Sequence, residues 1–190
     1  MIRAFIAIEF AAAIVNRIGA AIEQLKPRVV GIRWVAPANY HLTLKFLGNV
    51  DESQIETIAQ ALAEALRPFQ RFTINVKGLG VFPNVRRPRV LWVGLVGSPL
   101  TNLAIAVEAA LVPLGFPREE KAFTPHLTIG RWRQTERADR VLGEALKSWT
   151  YFDLGATVVD EIILFESVLK PAGAIYNRLK VVTLKPDRGT

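Results

Sequence analysis

The chain has no cysteine, one methionine and two histidines among its 190 residues. Without thiols there is no disulfide, no thiolate metal centre and no cysteine nucleophile, and a reducing compartment suits such a chain. Long apolar runs are missing too. The opening MIRAFIAIEFAAAIV is broken by Glu9, and no later stretch reaches the ~20 apolar residues that a membrane helix needs. The expectation is a cytoplasmic protein that does not enter a membrane. Nor does any Gly- or Ser-rich linker divide the sequence, so 190 residues, 51% of them hydrophobic, are expected to form one domain of two closely packed lobes.

Acidic residues are in deficit. Seventeen Asp and Glu face 24 Lys and Arg, for a net charge of +7 and a pI near 10.1. A basic surface attracts polyanions, so the balance permits a nucleic-acid partner. It does not establish one, because ordinary solubility charge has the same composition.

Hydrophobic periodicity orders the chain. Alternation predicts a strand over Ile2 to Phe10, and Ile14, Ile18, Ile22 and Leu25 predict a helix over 11–26 stopped by Pro27. GIRWVA and YHLTLKFLG read as strands. Asp51 with Gln54 reads as a capping box opening a helix to about Arg67. RFTINVKGLGVF and RVLWVGLVG are strands around a PNVRRP turn, and a helix follows from Pro99 to Leu114, closed by Gly115. Then come a strand HLTIGRW, a helix over 136–148, one or two strands in YFDLGATVVDEIILFESVL, and a last strand over 175–184.

The two histidines open the same phrase, His41-Leu42-Thr43-Leu44 and His126-Leu127-Thr128-Ile129, 85 residues apart. The order strand, helix, histidine strand, helix, strand occurs twice at that offset, which points to an internal duplication over 1–85 and 86–168. Two lobes related by a pseudo-twofold axis would each present one histidine strand to a shared cleft. On a strand, His41 and Thr43 share one face and His126 and Thr128 repeat the arrangement, with the intervening leucines and isoleucine buried. At ordinary residue usage a histidine is followed by Leu-Thr-aliphatic on the order of once in a thousand cases, and here both are. Two imidazoles and two hydroxyls around one cleft suit phosphodiester cleavage. One neutral ring takes a proton from attacking water, its protonated partner supplies the leaving oxygen, and the threonines donate to phosphate oxygens. A catalytic zinc needs a third protein ligand, and no carboxylate lies beside either phrase. No Gly-rich Lys-Ser/Thr phosphate loop is present either. No metal and no cofactor are expected.

Those phrases, with RAFIAIE, FLG, GLGVFP, RPRVLWVG, FTPHLTIGR and ESVLKPAGAIY, cover the length of the chain. They resemble the two-histidine (2H) phosphoesterases, and within them the RNA 2′,3′-cyclic phosphodiesterases, also called 2′-5′ RNA ligases. The resemblance implies an α+β, bilobal fold with two antiparallel sheets around a central cleft and helices outside. It implies metal-free hydrolysis of RNA 2′,3′-cyclic phosphate ends, such as those of tRNA fragments, to 2′-phosphates by a monomer. It also implies that His41 is the proton donor and His126 the acceptor, and that Arg131 binds phosphate.

Strict alternation opposes that last role, since it turns Arg131 away from His126 unless a bulge falls at Gly130. The same parity puts Lys45 on the face of His41. Phe5 is a candidate stacking face for a base, or a core residue, and Asn84–Arg89 is a basic turn that could follow an RNA backbone or be only a solvated loop. Three further readings stay open. They are a reversible, ATP-independent 2′-5′ ligase, a phosphodiesterase of small cyclic nucleotides, and an RNA-binding module without turnover. The paired histidines argue against the last, since lysines and arginines alone suffice to bind RNA.

Overall fold

The computed structural model describes residues 1–132, 140–149, 152–171 and 173–187. The alternating segments form strands β1 (Ile2–Glu9), β2 (Ile32–Trp34), β3 (His41–Val50), β4 (Phe72–Phe82), β5 (Val90–Val96), β6 (His126–Trp132), β7 (Asp153–Val159), β8 (Glu161–Lys170) and β9 (Gly173–Thr183). The helices are α1 (Ala12–Leu25), α2 (Ile55–Leu66), α3 (Pro99–Leu111) and α4 (Arg140–Trp149). Residues 136–139 of the expected fourth helix lie outside the described residues. α2 begins later than expected because Asp51 caps a 3₁₀ turn instead of a capping box. Its carboxylate accepts from the Ser53 N–H at 2.9 Å and the Ser53 hydroxyl at 2.8 Å.

The strands form one sheet in the order β7-β4-β5-β6-β3-β1-β8-β9, with β2 also paired to β6. It divides into two antiparallel halves, β9-β8-β1-β3 and β7-β4-β5-β6. Among the described residues one registered pair, Leu42 with Leu127, joins β3 to β6. Those leucines are 85 residues apart, so the joint is the point about which the halves repeat. The fold is thus α+β and bilobal, as the sequence predicts. One half draws its strands from both ends of the chain and the other from its middle. β4 joins β5, β6 and β7, whereas β8 and β9 return to β1 and β3. Helices cross as well, with α1 packed on β7 and α3 on β3. One continuous core lies beneath the helices, fed by Ile14, Ile18, Ile22 and Leu25 of α1 and by Ile58, Leu62 and Leu66 of α2. Their three- and four-residue spacing puts each set on one helix face.

Both histidine strands carry an extra residue at the same place. Ile6 pairs with Lys45 and Ala7 with Thr43, leaving Leu44 over. Leu91 pairs with Gly130 and Trp92 with Thr128, leaving Ile129 over. A bulge of this kind resets the alternation of faces. Lys45 therefore does not share the face of His41: it is 4% exposed on the core side. Its Nζ donates to Glu108 Oε1 at 2.8 Å and to the Pro117 carbonyl at 2.5 Å, and Glu108 in turn accepts from the Glu119 N–H at 3.0 Å. The pair fastens the irregular chain that leads into β6.

Removing one member of an enclosed ion pair leaves the other charge uncompensated. Because Glu108 keeps some solvent contact, Lys45→Met is expected to cost about 2–3 kcal/mol and to lower Tm by roughly 5–10 °C. Unchanged calorimetric melting would show that the pair does not hold this loop.

Candidate active site

His41, Thr43, His126 and Thr128 are all half-buried. They line one cavity of about 520 Å³ at the junction of the two sheet halves, together with Arg131, Phe46 and Tyr176. The expected grouping of the two histidine strands around one space is therefore what the fold produces. Arg131 joins them because the bulge at Ile129 turns it onto the face of His126.

Each imidazole is held the same way. Nδ1 of His41 lies 2.8 Å from the Asn39 carbonyl oxygen, and Nδ1 of His126 lies 2.7 Å from that of Thr124. A carbonyl only accepts, so each Nδ1–H donates and each Nε2 is left for the cavity. Asn39 is itself fixed, its Nδ2 donating to the Ala174 carbonyl at 2.8 Å at the start of β9.

Aromatic rings wall both histidines. His41 sits 4.9 Å from the Phe5 ring and 5.1 Å, edge-on, from Tyr176. His126 sits 4.9 Å from Phe82, also edge-on, and 6.2 Å from Trp92. Gly80 makes room for that tryptophan, since a Cβ there would stand 2.1 Å from the indole. Such enclosure excludes water and sets the protonation of the rings. Burial pushes the pKa of His41 down, the bond to Asn39 pulls it up, and the charges of Arg131 and of His126 push it down again. His126 is lowered by burial and by Arg131 against the bond to Thr124. Burial raises the Tyr176 phenol, which stays protonated.

Among the described residues no Asp or Glu lines the cavity, and no group of three or more His, Cys, Asp or Glu is placed to hold a metal ion. The site is cationic. An anion placed between the rings would favour their protonated forms and so draw in the proton that catalysis needs.

Of the two readings open for Phe5 the core one holds, since the ring is 3% exposed and packed among Phe165, Tyr176 and His41. The basic stretch Asn84–Arg89 forms the β4–β5 turn and does not line the cavity. Conversely, Phe46, Tyr176 and Arg3 line it without having been expected there. Phe46 stands an odd number of positions from His41, and only the bulge brings it round.

The pattern of paired histidines on a duplicated sheet has counterparts. The family model for LigT-like phosphoesterases matches twice, over residues 8–92 and 93–176. An RNA 2′,3′-cyclic phosphodiesterase of Methanothermobacter thermautotrophicus is 35% identical over 185 residues, covering 96% of this chain and 99% of its own. One of Aquifex aeolicus is 37% identical, with 93% and 94% covered. Among solved structures, Escherichia coli LigT complexed with 3′-AMP superposes with a TM-score of 0.76 at 27% identity, covering 96% of this chain and 98% of that one. A Thermus thermophilus protein reaches 0.82 at 26% identity, with 98% and 100% covered. The two matched segments each contain one His-Leu-Thr strand, and together they span most of the sheet, so this chain belongs to the LigT-like phosphoesterase family.

Proposed function

We propose that the protein is an RNA 2′,3′-cyclic phosphodiesterase, the activity its relatives are named for, and that it opens the cyclic ends to 2′-phosphomonoesters. The observation that carries this reading is the pair of imidazoles, each with Nδ1 committed to a carbonyl and Nε2 turned to one cationic cavity. The cyclic phosphate lies between the rings, with Arg131 against a non-bridging oxygen and the Thr43 and Thr128 hydroxyls donating to the phosphate. Water attacks phosphorus opposite O3′ and loses its proton to Nε2 of His126. As the P–O3′ bond breaks, O3′ takes the proton from Nε2 of His41, leaving a 2′-phosphate and a free 3′-hydroxyl. The proton gained by one ring and lost by the other restores the pair through solvent. All five residues come from one chain, which supports a monomer as the working unit. tRNA fragments are one class of RNA that carries such ends.

Acid and base are both imidazoles, so the step uses neither ATP nor a metal ion. An oligonucleotide with a 2′,3′-cyclic end is expected to be opened at undiminished rate in EDTA without nucleotide, giving the 2′-phosphate alone. Activity that vanishes in EDTA and returns with a divalent ion would overturn the metal-free step. A product removable by a 3′-specific phosphatase would place the acid on the wrong side of phosphorus.

A further inference from the structure

The residues whose carbonyls hold the two rings are also 85 apart, Asn39 and Thr124, so the twofold repeat extends to the support of each imidazole. What stands behind the two carbonyls differs. Thr124 is exposed, on the chain that leads into β6. Asn39 is half-buried and tied across the fold, its Nδ2 donating at 2.8 Å to the Ala174 carbonyl 135 residues away. Its N–H donates to the Ala36 carbonyl at 2.8 Å in the 3₁₀ turn Pro37–Asn39, which delivers the chain into β3.

Asparagine side chains in turns commonly bond to their own nearby backbone. This one reaches another strand instead, and its acceptor there takes only a donor. Ala174 stands two residues before Tyr176, whose ring meets His41 edge-on at 5.1 Å and Phe5 at 4.9 Å. Asn39 thus touches His41 through its backbone, and its side chain fixes the strand whose tyrosine walls the same ring.

We propose that Asn39 is a positioning residue for His41, its amide tether to β9 keeping the Asn39 carbonyl where it commits the imidazole proton to Nδ1. The consequence for catalysis rests on the phosphodiesterase reading above. A neutral imidazole carries one proton, and either nitrogen can hold it. While the carbonyl stays in place, the neutral ring presents a bare Nε2 to the cavity. Once it drifts, the proton is free to sit on Nε2 and the ring loses its aim. A reacting group misplaced by about 1 Å costs on the order of 10²-fold in rate. His126 takes its support from Thr124 and is unaffected, so the effect falls on one ring of the two.

The chain has two imidazoles, so ¹⁵N-histidine labelling gives each ring its own pair of nitrogen signals, assigned with His41→Ala. Burial lowers both pKa values, and at about pH 8 both rings are neutral. In the parent both should carry the proton on Nδ1. Asn39→Ala is expected to move the His41 pair toward a mixture of tautomers and to leave the His126 pair in place. Asn39→Asp keeps the shape and loses the donor, and it should do the same, which covers an alanine variant that fails to fold. Both should lower kcat on a 2′,3′-cyclic-ended oligonucleotide by roughly 10- to 100-fold, with KM within about twofold of the parent. An unmoved His41 tautomer in the folded variants would overturn the proposal. Equal shifts in both rings would overturn it too, since they would mean a general loosening of the cavity. A parent that leaves cyclic ends intact, while Asn39→Ala still scrambles the His41 proton, would sink the phosphodiesterase reading and leave the tether standing. Normal hydrolysis by Asn39→Ala with its tautomer unmoved would do the reverse.

Discussion

Alanine at His41 or at His126 is expected to lower kcat by roughly 10²- to 10⁴-fold while leaving thermal melting near that of the parent. Each substitution removes one proton carrier from a site that needs two. Neither ring carries an ion pair of the fold, its Nδ1 bonding only to a carbonyl two residues upstream. The double substitution should lose much less than the product of the single losses, because an acid without its base has little left to do. Single-turnover rates on a cyclic-ended oligonucleotide, with circular dichroism as the control for folding, decide the matter. Near-wild-type rates in either folded single variant would remove that histidine from the mechanism.

Arg131→Gln should act on both rate and titration. Loss of a charged donor to the phosphate is expected to lower kcat/KM by roughly 10- to 100-fold. The effect on pH follows from the same charge. Burial pushes both imidazole pKa values down, and Arg131 pushes them down further. For the wild type, a bell-shaped kcat/KM profile should therefore peak below the ordinary histidine pKa of about 6.5. Removing the cation raises both values, so both limbs in Arg131→Gln should move to higher pH. The limbs belong to the coupled pair rather than to either ring. A profile that stays in place, or moves toward acid, would mean that Arg131 does not act on the histidines through its charge.

Periodicity located the strands and helices because burial of one face writes itself directly into the sequence. The histidine strands were legible for the same reason, and so was the duplication, since Leu42 and Leu127 carry the repeat offset into the joint between the halves. Register is another matter. A bulge depends on the partner strand, and nothing local to Leu44 or Ile129 announces it. For that reason alternation put Lys45 in the cleft and left Phe46 out, whereas the reverse holds. Arg131 could be placed only on condition of a bulge, which the partner strand β5 then supplies. Phe5 illustrates a different limit. The sequence leaves it either a stacking face or a core residue, and the covering by Phe165 and Tyr176 that decides for the core comes from residues far along the chain. The crossing of β4 and β8 into opposite halves is equally silent in the sequence, because amphipathic pattern tells a strand which face to bury and not which neighbour to take.

That crossing has a consequence for the order in which the molecule can be built. β1, made before the other strands of this sheet, pairs on one side with β8, so Ala4 waits for Glu166. β4 likewise waits for β7, with Phe72 opposite Val159. Neither half-sheet closes until the last strands have been synthesised, and a nascent chain carries open strand edges for most of its length. Closure entropy must be met before these distant pairings contribute, which favours slow, all-or-none assembly. A cut in the β4–β5 turn would separate β4 from β5 and β8 from β1, leaving one fragment without β8 and β9 and the other without β4. The two imidazoles would thus come together only at the end of folding, so that a partly made chain holds no competent pair.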